Sequence, residues 1–117
     1  MQFIAAISDI KDRYDAFVTD IWGVLHDGAK TYPGVIDCLR ELRSCGKKVI
    51  LLSNSGRRAQ VVSTDLCGFG ITPELYTSVV TSGELTHLGF KTNVDVRLQH
   101  LGRSYYLFGS EKYGLTE

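Results

Sequence analysis

The chain has 117 residues, 44% hydrophobic and 22% charged, and its 13 basic side chains are balanced by 13 acidic ones. That length limits it to one domain, able to bury roughly two-thirds of the surface its unfolded chain exposes, and the composition argues against disorder and against a fibrous fold. Neutrality removes the broad basic footprint that a nucleic-acid duplex or an anionic membrane would need, so neither is expected as a partner.

Any anionic ligand must be met by local groups. The adjacent basic pairs are Lys47-Lys48, which reads as solvated surface, and Arg57-Arg58, which reads equally as surface or as part of a site. Cys38, Cys45 and Cys67 are odd in number and lack CxxC spacing, so packing in a reduced, cytoplasmic setting is the plain reading. The apolar residues 3–7 are soon interrupted by Asp9, Lys11, Asp12 and Arg13 without a small-residue cleavage site, unlike a signal peptide. No apolar run reaches the length of a membrane span.

Phe3, Ile7, Ile10 and Tyr14 fall on one face of an expected opening helix. Ala16-Phe17-Val18-Thr19 reads as a short buried strand that stops at Asp20, and residues 23–30 as a turn-rich excursion or small hairpin. Pro33-Gly34 introduces a helix, with Pro33 expected in its first turn, in which Val35, Cys38, Leu39, Leu42 and Cys45 form a stripe, with Gly46 as its stop. Val49-Ile50-Leu51-Leu52 is a second buried strand, ending in Ser53-Asn54-Ser55-Gly56. A helix with Ala59, Val62, Leu66 and Phe69 inward follows, then a strand at Val79-Val80. Thr81 and Glu84 have the spacing of a capping box for one more helix. Tyr105-Tyr106-Leu107-Phe108 reads as a further strand, while residues 91–104 give no clear pattern.

Apolar strands alternating with helices predict an α/β fold, a parallel sheet with helices on both faces. Ligands bind such sheets beyond the carboxyl ends of the strands. Two of those ends carry chemistry. Asp20 can attack an electrophile or hold a cation there, or simply cap a turn. Ser53 and Asn54 offer hydroxyl, amide and backbone donors suited to phosphate oxygens, or an ordinary helix N-cap.

Phe17-Val18-Thr19-Asp20-Ile21-Trp22-Gly23-Val24-Leu25 resembles the first motif of the haloacid dehalogenase superfamily, an apolar strand followed by Asp-x-Asp-Gly-Thr/Val-Leu. Ile50-Leu51-Leu52-Ser53-Asn54 resembles its second motif. His26-Asp27-Gly28, Pro33-Gly34 and Tyr76-Thr77-Ser78 are similar to class IIA members, the nitrophenylphosphatase-like and sugar-phosphate phosphatases. The resemblance covers residues 15 to 110. It implies a partial Rossmann-like core over residues 1–104, with residues 105–117 as the start of an α/β cap or a truncated end.

The resemblance further implies a hydrolase acting on a small phosphorylated metabolite through an aspartyl-phosphate. Asp20 would be the nucleophile, Ser53 would bond the transferring phosphoryl group with Asn54 beside it, and Mg²⁺ would be held by Asp20 and the Trp22 backbone carbonyl. Where the family pattern has a second aspartate, this chain has Trp22. That aspartate is the general acid–base. Indole does not titrate, and loss of such a group typically costs about 10²–10⁴ in rate, roughly 3–5.5 kcal/mol of barrier. His26 or Asp27 could substitute as the acid; otherwise both are flap residues.

The family's later lysine and acidic motifs have no counterpart before Glu117, so the chain is expected to be a fragment. Its first strand would then expose an edge through which the chain self-associates. The alternative is a catalytically inactive scaffold or fragment that binds phosphate, metal or a protein partner. A response-regulator receiver fits the length, but would need its acceptor aspartate after the third strand, where Thr81 stands.

Overall fold

In the computed structural model, residues 5–92, 96–102, 104, 106 and 108 are described. The apolar runs fold as β1 (Ala16–Asp20), β2 (Lys48–Ser53) and β3 (Ser78–Thr81). All pairings are parallel, in the order β1-β2-β3, with Asp20 opposite Leu52 and Ser53 opposite Thr81. The helices α1 (Val35–Ser44), α2 (Ala59–Gly68) and α3 (Ser82–Thr92) follow the three strands in turn. This is the expected α/β class, a Rossmann-like partial core, although α1 and α2 pack on one face of the sheet rather than on the two expected.

Strand positions alternate between faces, and the two faces of this sheet differ. Val49 and Leu51 of β2 are wholly buried, in one cluster with Leu39 and Leu42 of α1 and Val62 and Leu66 of α2. Phe17 and Val79 pack against that cluster. The intervening positions Val18 and Leu52 are 62% and 46% exposed. Removing apolar surface from water contributes roughly 25 cal/mol per Å², so the helical face carries most of the sheet's stabilisation.

Three further expectations need correction. The opening helix is instead two short 3₁₀ turns, Ile7–Asp9 and Lys11–Arg13, while Phe3 lies outside the described residues. Aspartates at 9 and 12 favour turns over a helix interior, because their carboxylates bond nearby backbone. Asp9 does so, accepting from Ala5 N and Ala6 N. Second, β1 is not buried: among the described residues it pairs with β2 alone, and its exposure alternates. Third, Pro33 stands before α1 rather than in its first turn. Gly34 takes φ +80° at the N-cap, a left-handed conformation that costs glycine little.

The stop at Gly46 is as expected. With φ +73°, it lets Gly46 N and Lys47 N donate to Arg43 O and Leu42 O.

Beside the open edge of β1 runs an apolar groove of about 310 Å³, lined among others by Ile7, Ile10, Phe17, Val24 and Val35. Of the strand expected at residues 105–108, Tyr105 and Leu107 lie outside the described residues; Tyr106 and Phe108 are exposed and carry no strand pairing. No helix among the described residues is long and apolar enough to cross a membrane.

Candidate active site

Because β1 and β2 run parallel and in register, Asp20 and Ser53 emerge at the same end of the sheet. Asp20 is exposed, and its Oδ1 accepts from the N–H of Ile21 at 2.9 Å. Ser53 is half-buried, and its Oγ accepts from Ser55 N at 3.1 Å. Asn54 is exposed. Ser53 and Asn54 line a cavity of about 430 Å³ together with Ser55, Arg57, Trp22 and His26. Asp20 is not among its lining residues but stands at the tip of the adjacent strand. The structure thus brings Ser53, Asn54 and Trp22 to one cavity, and leaves the carboxylate beside it.

The excursion after β1 is a compact flap. Leu25 N and Val24 N donate to Ile21 O, Gly23 N to His26 O, and Tyr32 N to Leu25 O. His26 makes isolated bridges with Trp22 and Thr31 in place of a regular hairpin. The carboxylate of Asp27 accepts from Ala29 N and Lys30 N, both at 2.8 Å, and these donors, Lys30 first, hold it below the ordinary aspartate range. Asp27 thus folds the flap through these two bonds.

His26 is buried within the flap. Its ring stacks on Phe69 at 4.2 Å between centroids and meets Trp22 edge to face at 5.4 Å. Nδ1 accepts from Gly28 N at 3.0 Å, which leaves the imidazole proton on Nε2 in the neutral ring. Trp22 remains 67% exposed above this stack. Its indole lies so close to Gly28 (φ +90°) that a Cβ there would come within 2.3 Å of the ring.

Two oxygens suit a hard cation, the Asp20 carboxylate and the Trp22 carbonyl. The backbone hydrogen bonds that fold the flap run to Ile21 O, Leu25 O, His26 O and Lys30 O rather than to that carbonyl. Among the described residues no group of three acidic, histidine or cysteine side chains could cage a metal by itself. A Mg²⁺ that keeps several waters and takes one or two protein oxygens fits this set.

Arg57, read equally as surface or as part of a site, lines the cavity, and Phe69 and Glu84, not singled out for chemistry in the sequence, belong to the site region. Arg57 pairs with Asp65, and its Nε is buried without an acceptor. Phe69 supplies the ring beneath His26. Glu84 accepts from Arg58 Nε at 2.8 Å, from Arg58 Nη2 at 3.2 Å and from Ala59 N at 3.0 Å. The capping box is accordingly only half made. Glu84 N does donate to Thr81 Oγ1 at 3.0 Å, but the Glu84 carboxylate is engaged across the fold. The bond with Arg58 holds Glu84 below the ordinary glutamate range. Adjacency of Arg57 and Arg58 was the available signal; their partners, eight and 26 positions away, were not legible.

Parallel order, helical crossovers and polar loops at the carboxyl end of the sheet define a Rossmann-like α/β core with a strand-end site. The sequence pattern of the haloacid dehalogenase-like hydrolases matches residues 17–115. A 4-nitrophenylphosphatase from Schizosaccharomyces pombe is 32% identical over 97 residues, 80% of this chain and 33% of that protein. Chronophin from Bos taurus is 36% identical over 56 residues, 48% of this chain and 19% of its own length. A crystal structure of a haloacid dehalogenase-like family hydrolase from Brucella suis superposes with a TM-score of 0.66 at 36% identity, covering 73% of this chain and 33% of that one. The chain belongs to the haloacid dehalogenase-like hydrolases, in the class IIA branch. It spans at most about a third of the length of these relatives.

Proposed function

We propose that this chain carries the nucleophile and phosphoryl-binding loop of a hydrolase for small phosphate monoesters. The observation carrying this reading is the in-register parallel pairing that sets Asp20 and the Ser53-Asn54 loop at one end of the sheet. An Asp20 oxygen would attack phosphorus and the ester oxygen would leave, giving an aspartyl-phosphate that water cleaves to release phosphate and regenerate the carboxylate. Ser53 Oγ and the amide of Asn54 would hold the phosphoryl oxygens. Arg57 lines the same cavity and would offer its guanidinium to the substrate as a further donor.

Asp20 and the Trp22 carbonyl would hold Mg²⁺, which when bound offsets charge between carboxylate and phosphate. Trp22 cannot donate a titrating proton. The carboxylate of Asp27 and Nδ1 of His26 each accept backbone N–H bonds, so in this reading water would protonate the leaving oxygen. The reading therefore includes weakened hydrolysis.

The test is Asp20→Asn in the native gene product, assayed with Mg²⁺ and 4-nitrophenyl phosphate, the substrate type named by the fission-yeast relative. Turnover is expected to vanish; turnover equal to the unmodified protein would overturn the assignment. A second reading, a scaffold that binds phosphate or a partner without hydrolysis, is favoured by Trp22 at the family's acid position. An unmodified protein that binds phosphate and releases none would establish it.

The open edge of β1 with its apolar groove supports self-association. Sedimentation over a concentration series should then show a dimer, while a monomer throughout would exclude it.

A further inference from the structure

The loop that would hold the phosphoryl group joins β2 to α2, and its own side chains do little to fix it. Ser53 Oγ and Ser55 Oγ accept from backbone N–H groups two residues on, at 3.1 and 3.2 Å. Such short-range turns are weak and compete with other local conformations. The N-cap of α2, Arg58, makes no side-chain cap bond of its own. What holds the loop arrives from the junction of β3 and α3, more than twenty residues away.

Gly83 N donates to Ser55 O at 3.0 Å. Thr81, wholly buried, donates from Oγ1 to Arg57 O at 2.6 Å. Glu84 grips Arg58 through both carboxylate oxygens and caps α2 at Ala59 N. The contact is also steric: a Cβ on Gly83 would lie 2.0 Å from Gly56 O and 2.7 Å from Arg57 O. Ser55, Gly56, Arg57 and Arg58 are thus each touched by the segment 81–84. On the other side, Ser53 is tied by its pairing with Thr81. Between these anchors stands Asn54, exposed and facing the cavity.

We propose that Glu84, seated by Gly83 and Thr81 and clamped on Arg58 and Ala59, is a positioning residue. It holds loop 54–58 in the geometry that receives a phosphoryl group. This rests on the phosphate-binding reading above. Charge-assisted bonds at both oxygens of one carboxylate fix direction as well as distance, and a site loose by one ångström loses much of its affinity or rate. Glu84 need not touch the ligand, since it acts through the loop.

The experiment compares the unmodified chain with Glu84→Ala and the shape-preserving Glu84→Gln. Amide exchange by NMR reads the clamp, and titration with inorganic phosphate in the presence of Mg²⁺, followed at the Asn54 and Ser55 amides, reads the site. In Glu84→Ala, exchange at Ala59 and Gly83 is expected to accelerate and phosphate affinity to fall by about tenfold, a shift of about 1.4 kcal/mol. Exchange in the core at Leu51 should stay unchanged. Glu84→Gln keeps an acceptor for Ala59 N and should recover most of the affinity.

Equal phosphate affinity in all three would overturn the positioning role while leaving the phosphate site standing. An unmodified chain that binds no phosphate would remove the site, and with it anything for Glu84 to position. Should Glu84→Ala fail to fold, Arg58→Gln carries the test, with the same loss expected and unchanged affinity overturning the proposal.

Discussion

The two strand-end loops that frame the cavity are built by opposite means. The flap after β1 folds largely on itself. Its backbone bonds close within a dozen residues, Asp27 supplies a local turn, and Gly28 makes room for Trp22. The loop after β2 has weak local bonds and is held from outside by Thr81, Gly83 and Glu84. That flap is also pinned to the body of the fold, by the stack of His26 on Phe69 and by Thr31 Oγ1, which donates to Phe69 O at 2.6 Å. A loop clamped from a third strand cannot shift without breaking ion-paired and buried bonds.

The largest expected effect comes from the flap. Trp22→Asp in the native gene product restores a titrating group at that position and should raise turnover of an alkyl phosphate by about 10²–10⁴. An aryl phosphate, whose phenolate leaves with less help, should gain less. Steady-state rates on the two esters check this; no gain on either would show that position 22 is not where the leaving oxygen is protonated.

Next comes the difference between the sheet's two faces. Leu51→Ala, in the helical core, should cost about 2–5 kcal/mol, whereas Val18→Ala, on the exposed face of β1, should stay within about 0.5 kcal/mol. Urea denaturation measures both. Similar losses would mean that the exposed face is covered in solution.

Within the flap, Gly28→Ala and Gly23→Ala both force a left-handed backbone, at φ +90° and +80°. Each should lose roughly 1–2 kcal/mol. Only Gly28→Ala crowds the indole, so only it should change the emission of Trp22, the single tryptophan of the chain.

The smallest effect is electrostatic. Because Arg58 lowers the Glu84 pKa in the folded chain, the unfolded chain binds the proton more readily. Stability from this pair is then complete above the ordinary glutamate range and fades as pH falls through it. The denaturation midpoints of the unmodified chain and Glu84→Gln should converge on acidification. A gap that widens in acid would reverse the assigned sign.

Much of this was legible beforehand. Apolar runs ending in Asp20 and Ser53 were enough to place two strand ends, because a parallel sheet puts the carboxyl ends of its strands on one side. Gly46 stopped α1 as a residue free to adopt positive φ should. The helical spacing of apolar residues in the opening segment says nothing of Asp9 folding back on the N–H groups of Ala5 and Ala6. For β1, an apolar run looks the same whether one face or both are covered.

What the sequence determined by itself was everything set by short range: strand and helix order, the stop of α1, the strand-end positions of Asp20, Ser53 and Asn54, and the family those motifs identify. Only the tertiary structure decided that Glu84 leaves its own helix start to clamp Arg58 and that Phe69 lies beneath His26. Those outcomes depend on which distant segments the folded sheet brings into contact, and no local spacing encodes that.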